Sequence, residues 1–263
     1  MMLLWQLHQG DSPLIVSVPH AGRHVPDAIA LRMQPNARAL PDTDFHVDRL
    51  YRFVPATGAT FVVATHSRYV VDLNRDPSGA ALYPGADNTE LCPTRTFAND
   101  AIYLPGEAPS GREIAARRAT FFDPYQALLA TQIARVHDRH GHALLLDGHS
   151  IAAVVPRFFA GRLPDLNLGT ADGHSCAPSV EALAAGVLSR ASGFTHVVNG
   201  RFKGGYITRH FGAPDRRVHA LQLEMVQDCY MDESQPNRFD PARAARVIAM
   251  LERLVIALSE WRP

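Results

Sequence analysis

Six short apolar segments constrain the fold of this chain more than any other feature. Each is five or six residues long, is rich in Val, Ile and Leu, and does not alternate cleanly with polar residues. The segments are LIVSV (14–18), TFVVAT (60–65), RYVVDL (68–73), ALLLD (143–147), HVVNG (196–200) and ALQLEM (220–225). Strands that are covered on both faces have this continuous apolar character. The chain is therefore predicted to be an α/β protein whose sheet lies between helices.

Helical periodicity occupies the intervals between the predicted strands. Four segments carry apolar residues at helical spacing, and the second contains a predicted break near Pro124. They are residues 45–54, 111–141, 179–193 and 241–261. The interval 77–110 is rich in Pro and Gly and is predicted to be a loop region, and loops of such length often act as lids or binding loops. Since no repeat or linker is apparent, residues 1–263 are interpreted as one domain.

Composition argues against several classes of partner. The 26 basic and 26 acidic residues give a formal net charge of +0, whereas a nucleic-acid-binding protein normally has a basic excess. No apolar run approaches the ~18 residues that span a bilayer, and the N-terminal residues lack the basic and apolar regions of a signal peptide. The three cysteines form no CxxC pair, which is typical of free thiols in a reducing compartment. We therefore expect a cytoplasmic protein without nucleic-acid or membrane partners.

Polar residues follow four of the predicted strands at the point where the apolar run stops. Ligands of open α/β sheets bind at the carboxyl ends of the strands, so these residues are expected to meet at one edge of the sheet. Gly148 is expected to let the chain turn there. The residues are His20, Asn74, Arg75, Asp147, His149 and Ser150, with Glu224 inside the last apolar segment.

A metal site is one chemistry that these residues could provide. Neutral imidazoles such as those of His20 and His149 are suitable ligands for Zn²⁺. A catalytic zinc takes three protein ligands and leaves one position for water. The third ligand would be a carboxylate, and the segment DTDFHVDRL offers Asp42, Asp44 and Asp48.

Two charged residues have both a functional and a structural interpretation. Glu224 stands among apolar neighbours, where a carboxylate needs a partner or a raised pKa, so it could be a general base or part of a structural salt bridge. Arg75 could bind a substrate carboxylate in bidentate fashion, or it could pair with Asp72 or Asp76. The sequence contains no GxSxG, P-loop or GxGxxG motif to support a serine nucleophile or a phosphate site.

Six motifs together resemble the N-formylglutamate amidohydrolase family. They are SVPHAGRHVP, DTDFHVDRLY, SRYVVDLNRDP, LLLDGHS, FKGGYITRHFG and ALQLEM, and they extend in order from residue 17 to residue 225. The resemblance implies metal-dependent hydrolysis of N-formyl-L-glutamate to L-glutamate and formate, a step of histidine degradation. The family is related to zinc carboxypeptidases and aspartoacylases. It therefore implies a mixed, mostly parallel sheet of about eight strands flanked by helices.

The resemblance also implies which residues bind the metal. His20 and His149 match two histidine ligands of the wider superfamily, and one divalent ion, Zn²⁺, is the expected cofactor. The residue three positions after His20 is Arg23, where the superfamily has a carboxylate ligand. Asp44 is therefore the preferred third ligand, with Asp48 as the second choice or as a supporting residue.

The remaining roles come from the same resemblance. Glu224 matches the general base, and Asn74 and Arg75 match a pair that holds a substrate carboxylate. The glycine-hinged FKGGYITRHFG segment would present Tyr206 and Arg209 to the second carboxylate or to the oxyanion. The other two predicted site residues are Arg68, beside the oxyanion, and Asp147, which would support a histidine ligand.

Two other functions fit the same residues. One is hydrolysis of a different N-acyl amino acid or of a short peptide, and the other is non-enzymatic binding of an acidic metabolite. A site of two histidines and one carboxylate would also accept Fe²⁺, Co²⁺ or Mn²⁺. The expected partners are a small-molecule substrate and water.

Overall fold

A mixed seven-stranded sheet forms the centre of the protein. The computed structural model describes residues 2–82, 85 and 87–263. The strands are β1 (Trp5–His8), β2 (Leu14–Val18), β3 (Thr60–Ala64), β4 (Ala143–Ile151), β5 (Leu166–Gly169), β6 (His196–Val198) and β7 (Val218–Val226). Their order is β1-β3-β2-β4-β7-β5-β6. The β1–β3 and β5–β7 pairs are antiparallel, and the other neighbours are parallel.

Helices cover both faces of this sheet, which confirms the predicted α/β class. They are α1 (Asp27–Ala30), α2 (Val47–Leu50), α3 (Gly111–Arg117), α4 (Asp123–His140), α5 (Pro178–Ser189), α6 (Tyr206–Phe211) and α7 (Pro241–Glu260). A π-helical turn, Arg118–Phe122, joins α3 to α4. Pro124 occupies the first turn of α4, where a proline is tolerated, and it does not cause the predicted break. None of the helices in the described part of the chain combines the length and apolar character needed to cross a membrane.

The predicted strand at residues 68–73 is wrong. These residues form turns, although Tyr69, Val70 and Val71 are buried. Their apolar character reflects packing, because Tyr69 and Val70 belong to a separate core cluster with Met33 and Ile102. The carbonyls of Tyr69 and Val70 accept hydrogen bonds from Arg117 Nη1 rather than from a neighbouring strand (3.3 and 3.2 Å).

Two observed strands, β1 and β5, were not predicted. The sequence of β1 is WQLH and it is an edge strand, largely exposed, so it lacks the apolar run of an interior strand. The sequence of β5 is LNLG, and its four residues are too few to form a recognisable pattern. The interval 77–110 contains no helix or strand among its described residues, and residues 83, 84 and 86 lie outside them.

The three central strands, β2, β4 and β7, have two chemically different faces. One face is mostly apolar and packs against α5 and α7, through residues such as Leu146 and Leu223. The other face begins with apolar residues that pack against α4 and then becomes polar toward the carboxyl ends. The polar positions alternate with apolar ones: Ser17 on β2, Asp147 and His149 on β4, and Gln222 and Glu224 on β7.

The prediction that the chain turns at Gly148 is wrong, because β4 continues to Ile151. His149 lies inside the strand and is paired with Glu224 of β7. A glycine is required at position 148 for a different reason. A Cβ atom there would lie 2.7 Å from Cε2 of the fully buried Tyr51.

Replacing Gly148 with alanine is therefore expected to lower the free energy of unfolding by about 1–3 kcal/mol, because the added methyl overpacks the core. Urea denaturation measures this change. Gly111→Ala is the matched control, since a Cβ at Gly111 has no neighbour within 4 Å. Equal stability of the two alanine variants would show that Tyr51 accommodates the added methyl at position 148.

Candidate active site

His20, Asp44 and His149 form a buried cluster at the carboxyl ends of β2 and β4. Potential ligand atoms of the three side chains all lie within 4.8 Å of one another. The backbone N–H of Asp44 donates to His20 O (3.1 Å), which holds the loop before α2 against the end of β2. Asp44 Oδ2 lies 3.1 Å from His149 Nδ1 and 3.8 Å from His20 Nδ1. The structure thus brings together the three residues predicted to bind a metal.

The outer nitrogen of each histidine contacts a buried carboxylate. His20 Nε2 lies 2.8 Å from Asp72 Oδ1, and His149 Nε2 lies 2.7 Å from Asp147 Oδ2. Asp147 is itself held by Ser17, whose hydroxyl donates to Asp147 Oδ1 (2.9 Å). Carboxylates in this position fix the ring and raise the basicity of a metal-binding imidazole. Both Nδ1 atoms therefore face Asp44.

Arg68 supplies positive charge at the same place. Its Nη2 donates to His20 Nδ1 (2.7 Å) and to Asp44, and its Nη1 lies 3.7 Å from Asp72 Oδ2. Because Nδ1 of His20 is an acceptor in this arrangement, its lone pair faces the cluster. Arg68 would have to release this nitrogen for a metal ion to bind there.

The electrostatic environment suits a cation. Burial, followed by Arg68, lowers the pKa of His20 and favours its neutral form. Burial opposes the charge of Asp44, but Arg68 and His149 together hold the pKa of Asp44 below its ordinary value. Burial would lower the pKa of His149, yet Asp147 and Asp44 raise it well above its ordinary value. Two imidazoles and an ionised carboxylate thus fit a divalent metal ion, which would replace the proton on His149 Nδ1.

Glu224 lies beside this cluster on the adjacent strand. Burial raises the pKa of its carboxyl to about 7, and Asp44 acts in the same direction against His149. Gln222 Nε2 donates to Glu224 Oε2 (3.1 Å). A carboxyl whose pKa is close to neutrality can accept and return a proton during catalysis.

A single cavity joins these groups to solvent. Its wall includes His20, His149 and Glu224. Arg75 also lines it and is anchored by Nε–H to Thr89 Oγ1 (2.6 Å) and by Nη1–H to Asn74 O (3.0 Å). The pairing with Asp72 considered from sequence is long, at 3.8 Å.

Asn74 lines the cavity, but protein groups already engage its amide. The oxygen accepts the Ile207 N–H (2.8 Å), and Nδ2 lies 3.3 Å from Gln222 Oε1 and 3.0 Å from His149 Nε2. Gly205 passes so close to Asn74 that a Cβ atom there would lie 2.2 Å from Nδ2. The backbone at Gly205 therefore leaves no room for a side chain.

Three predicted residues lie away from the cluster. Asp48 is exposed on α2. Tyr206 and Arg209 lie on α6, a helix that forms the second half of the FKGGYITRHFG segment. They line a separate surface depression rather than the cavity with Glu224.

Two other polar residues have structural roles. Asp42 is buried and accepts hydrogen bonds from Tyr69 and Phe97. Ser150 forms a structural hydrogen bond with Tyr230.

Three contributors to the site were missed from sequence. Asp72 was considered only as a partner of Arg75. Gln222 stands two residues before Glu224, so the alternation of a strand would have put both on one face. Arg201 lines the cavity from the segment after β6, and its sequence neighbourhood gives no comparable signal.

Comparisons with known proteins agree on one family. The sequence profile of the N-formylglutamate amidohydrolase family matches residues 12–231. The N-formylglutamate deformylase of Pseudomonas putida is 43% identical over 254 residues, which cover 97% of this chain and 95% of that protein. The N-formylglutamate deformylase of Pseudomonas aeruginosa is 45% identical over 255 residues, which cover 96% of this chain and 95% of that protein.

One solved structure supports the same family, and a second shares the fold. The crystal structure of N-formylglutamate amidohydrolase from Ralstonia eutropha superimposes with a TM-score of 0.81 at 27% identity, and the match covers 97% of each chain. A gene product of Agrobacterium tumefaciens shares the fold, with a TM-score of 0.68 at 17% identity over 97% of this chain and 96% of that one.

Proposed function

The chain belongs to the N-formylglutamate amidohydrolase family, and from this membership we infer that it hydrolyses N-formyl-L-glutamate to L-glutamate and formate. This reaction would give it a role in histidine degradation. The observation that carries the proposal is the buried His20–Asp44–His149 cluster, which opens into the same cavity as Glu224. We propose that residues 1–263 act as a single amidohydrolase domain.

We propose that His20, Asp44 and His149 hold one divalent metal ion, and that the ion is Zn²⁺. The donor set of two imidazoles and one carboxylate supports this choice. The bound ion would polarise the formyl carbonyl and make water more acidic. Asp72 and Asp147 would keep both imidazoles in the orientation that binding requires.

Glu224 is proposed as the group that moves the proton. It would take a proton from the attacking water and then deliver it to the amide nitrogen as the C–N bond breaks. Its buried position and its pKa of about 7 support both steps, since an acid–base group is most effective when its pKa is close to the working pH. Gln222 would position the carboxylate through its hydrogen bond to Oε2.

Two arginines are proposed to bind charge on the substrate. Arg75 would bind the α-carboxylate, because Thr89 and the Asn74 carbonyl fix its side chain at the cavity wall. Asn74 would position this wall rather than contact the substrate, since its amide already bonds to Ile207 and lies close to Gln222. Arg68 would stabilise the oxyanion, and its position beside Asp44 and His20 supports that role.

The proposed partners are N-formyl-L-glutamate and water, in a cytoplasmic enzyme that binds neither nucleic acid nor membrane. The balanced formal charge and the three unpaired thiols of Cys92, Cys176 and Cys229 support this proposal.

A substrate panel tests the proposed reaction. We expect the highest kcat/KM for N-formyl-L-glutamate among N-formyl, N-acetyl and peptidyl derivatives of glutamate and aspartate, measured as release of the free amino acid. A higher value for an acetyl or peptidyl compound would instead support the related N-acyl amino acid hydrolase or peptidase. Absence of hydrolysis with every compound would support a binding protein.

A further inference from the structure

We propose that Arg201 binds the side-chain carboxylate of N-formyl-L-glutamate and thereby determines the preference for an acidic side chain. This inference rests on the proposed function. The substrate carries two carboxylates, and the α-carboxylate is bonded to the same carbon as the scissile amide nitrogen. The second lies two methylene groups farther away, so it needs a cationic group at a greater distance from the His20–Asp44–His149 cluster.

The arginines that line the cavity fall into two groups by position. Arg68 and Arg75 lie next to the His20–Asp44–His149 cluster. The carboxylate of Asp72 contacts His20, and its Oδ2 is 3.7 Å from Arg68 Nη1 and 3.8 Å from Arg75 Nε. Arg201 comes from the segment that follows β6, the edge strand beyond β7 and β5. The Gly205 N–H donates to Gln222 Oε1 (2.7 Å), which holds this segment over the polar face of β7. Arg201 therefore reaches the cavity on a different segment of the chain from the one that carries Arg68 and Arg75.

Protein contacts orient the Arg201 side chain. Its Nε–H donates to the Phe158 carbonyl (2.7 Å), and its guanidinium lies 5.4 Å from the centroid of the Phe202 ring. The contact with the Phe158 carbonyl helps to fix the plane of the fork, and a fork of fixed plane is the geometry that a carboxylate recognises in bidentate fashion.

The surroundings of Arg201 suit the rest of the substrate side chain. Phe158, Phe202 and Ile151 line the same cavity and offer apolar surface to the two methylene groups. Such surface also excludes water, which strengthens an ion pair between a guanidinium and a carboxylate. Asp87, which also lines this cavity, pairs with both Nε and Nη2 of Arg157 (2.8 and 2.9 Å), so its charge is largely compensated.

Arg201→Gln tests the assignment with two substrates of nearly equal shape, N-formyl-L-glutamate and N-formyl-L-glutamine. The variant is expected to lower kcat/KM for N-formyl-L-glutamate by roughly 30- to 300-fold, mainly through KM, because it removes charged hydrogen bonds. The rate with N-formyl-L-glutamine should stay within about threefold of wild type. Arg201→Lys, which keeps the charge but not the fork, should lie in between.

The wild type is expected to hydrolyse N-formyl-L-glutamine more slowly than N-formyl-L-glutamate. Long incubations with mass-spectrometric detection of released glutamine give this slower rate or its upper limit. The thermal unfolding midpoint of each variant reports whether it is folded. The matched control is Arg253→Gln on the exposed side of α7, which should leave both rates unchanged.

Three outcomes are separable. Equal loss with both substrates, or retention of N-formyl-L-glutamate hydrolysis by a folded Arg201→Gln variant, would overturn the assignment. A selective loss in Arg209→Gln instead would transfer the role to that residue. A wild-type protein that hydrolyses neither compound would contradict the proposed function itself.

Discussion

Replacing Glu224 with glutamine is expected to lower kcat on N-formyl-L-glutamate by about 10²–10⁴-fold, the usual contribution of a general acid–base group. The substitution removes the site that accepts a proton but changes the size of the side chain very little. Gln222 Nε2 donates to Glu224 Oε2 (3.1 Å), and the carbonyl oxygen of a glutamine can accept the same hydrogen bond. The effect should therefore appear in kcat, with little change in KM.

Steady-state kinetics of the purified variant measure this loss. Its metal content and unfolding midpoint should equal those of the wild type, because Glu224 does not belong to the candidate metal site of His20, Asp44 and His149. Glu252→Gln, on the exposed surface of α7, is the matched control and should retain full activity. A decrease smaller than about tenfold for Glu224→Gln would exclude Glu224 as the general base.

The strands that carry the candidate site were predictable because their apolar halves are long and continuous. β2, β4 and β7 place His20, His149 and Glu224 close together once their parallel pairing is assumed, and β4 and β7 pair directly. The chain was expected to leave the sheet before His149. Instead β4 continues, and alternation within the strand puts Asp147 and His149 on one face.

The remaining parts of the site depend on contacts that are distant in sequence. Residues 68–73 have the composition of a strand, but the carbonyls of Tyr69 and Val70 accept hydrogen bonds from Arg117 instead of from a neighbouring strand. The resulting turn brings Asp72 to His20. Likewise, only the path of the chain after β6 brings Arg201 to the cavity. Local sequence patterns contain neither kind of information.

The choice between Asp44 and Asp48 as third ligand can be decided with two matched variants. Asp44→Asn is expected to remove most of the metal that copurifies with the protein. It should lower kcat/KM by more than about 10²-fold, which exceeds the 10–100-fold effect of a residue that only supports a ligand. Asp48→Asn should change neither quantity, because Asp48 is exposed on α2 whereas Asp44 lies within the cluster. Elemental analysis and kinetics of both preparations measure these effects.

Loss of activity in Asp44→Asn could also arise from damage to the fold, because Asp44 is fully buried and bonds to Arg68 and to the Ser150 N–H (3.1 Å). An asparagine side-chain oxygen can still accept from Ser150, but it leaves the Arg68 charge less compensated. Chelation of the wild-type protein separates the two causes, since it removes the ion and leaves every side chain in place. We expect the chelated wild type to match Asp44→Asn in activity and to recover when Zn²⁺ is restored, whereas the variant should not recover. Full activity of a metal-free wild type would contradict the metal proposal, and loss of metal in Asp48→Asn alone would make Asp48 the ligand.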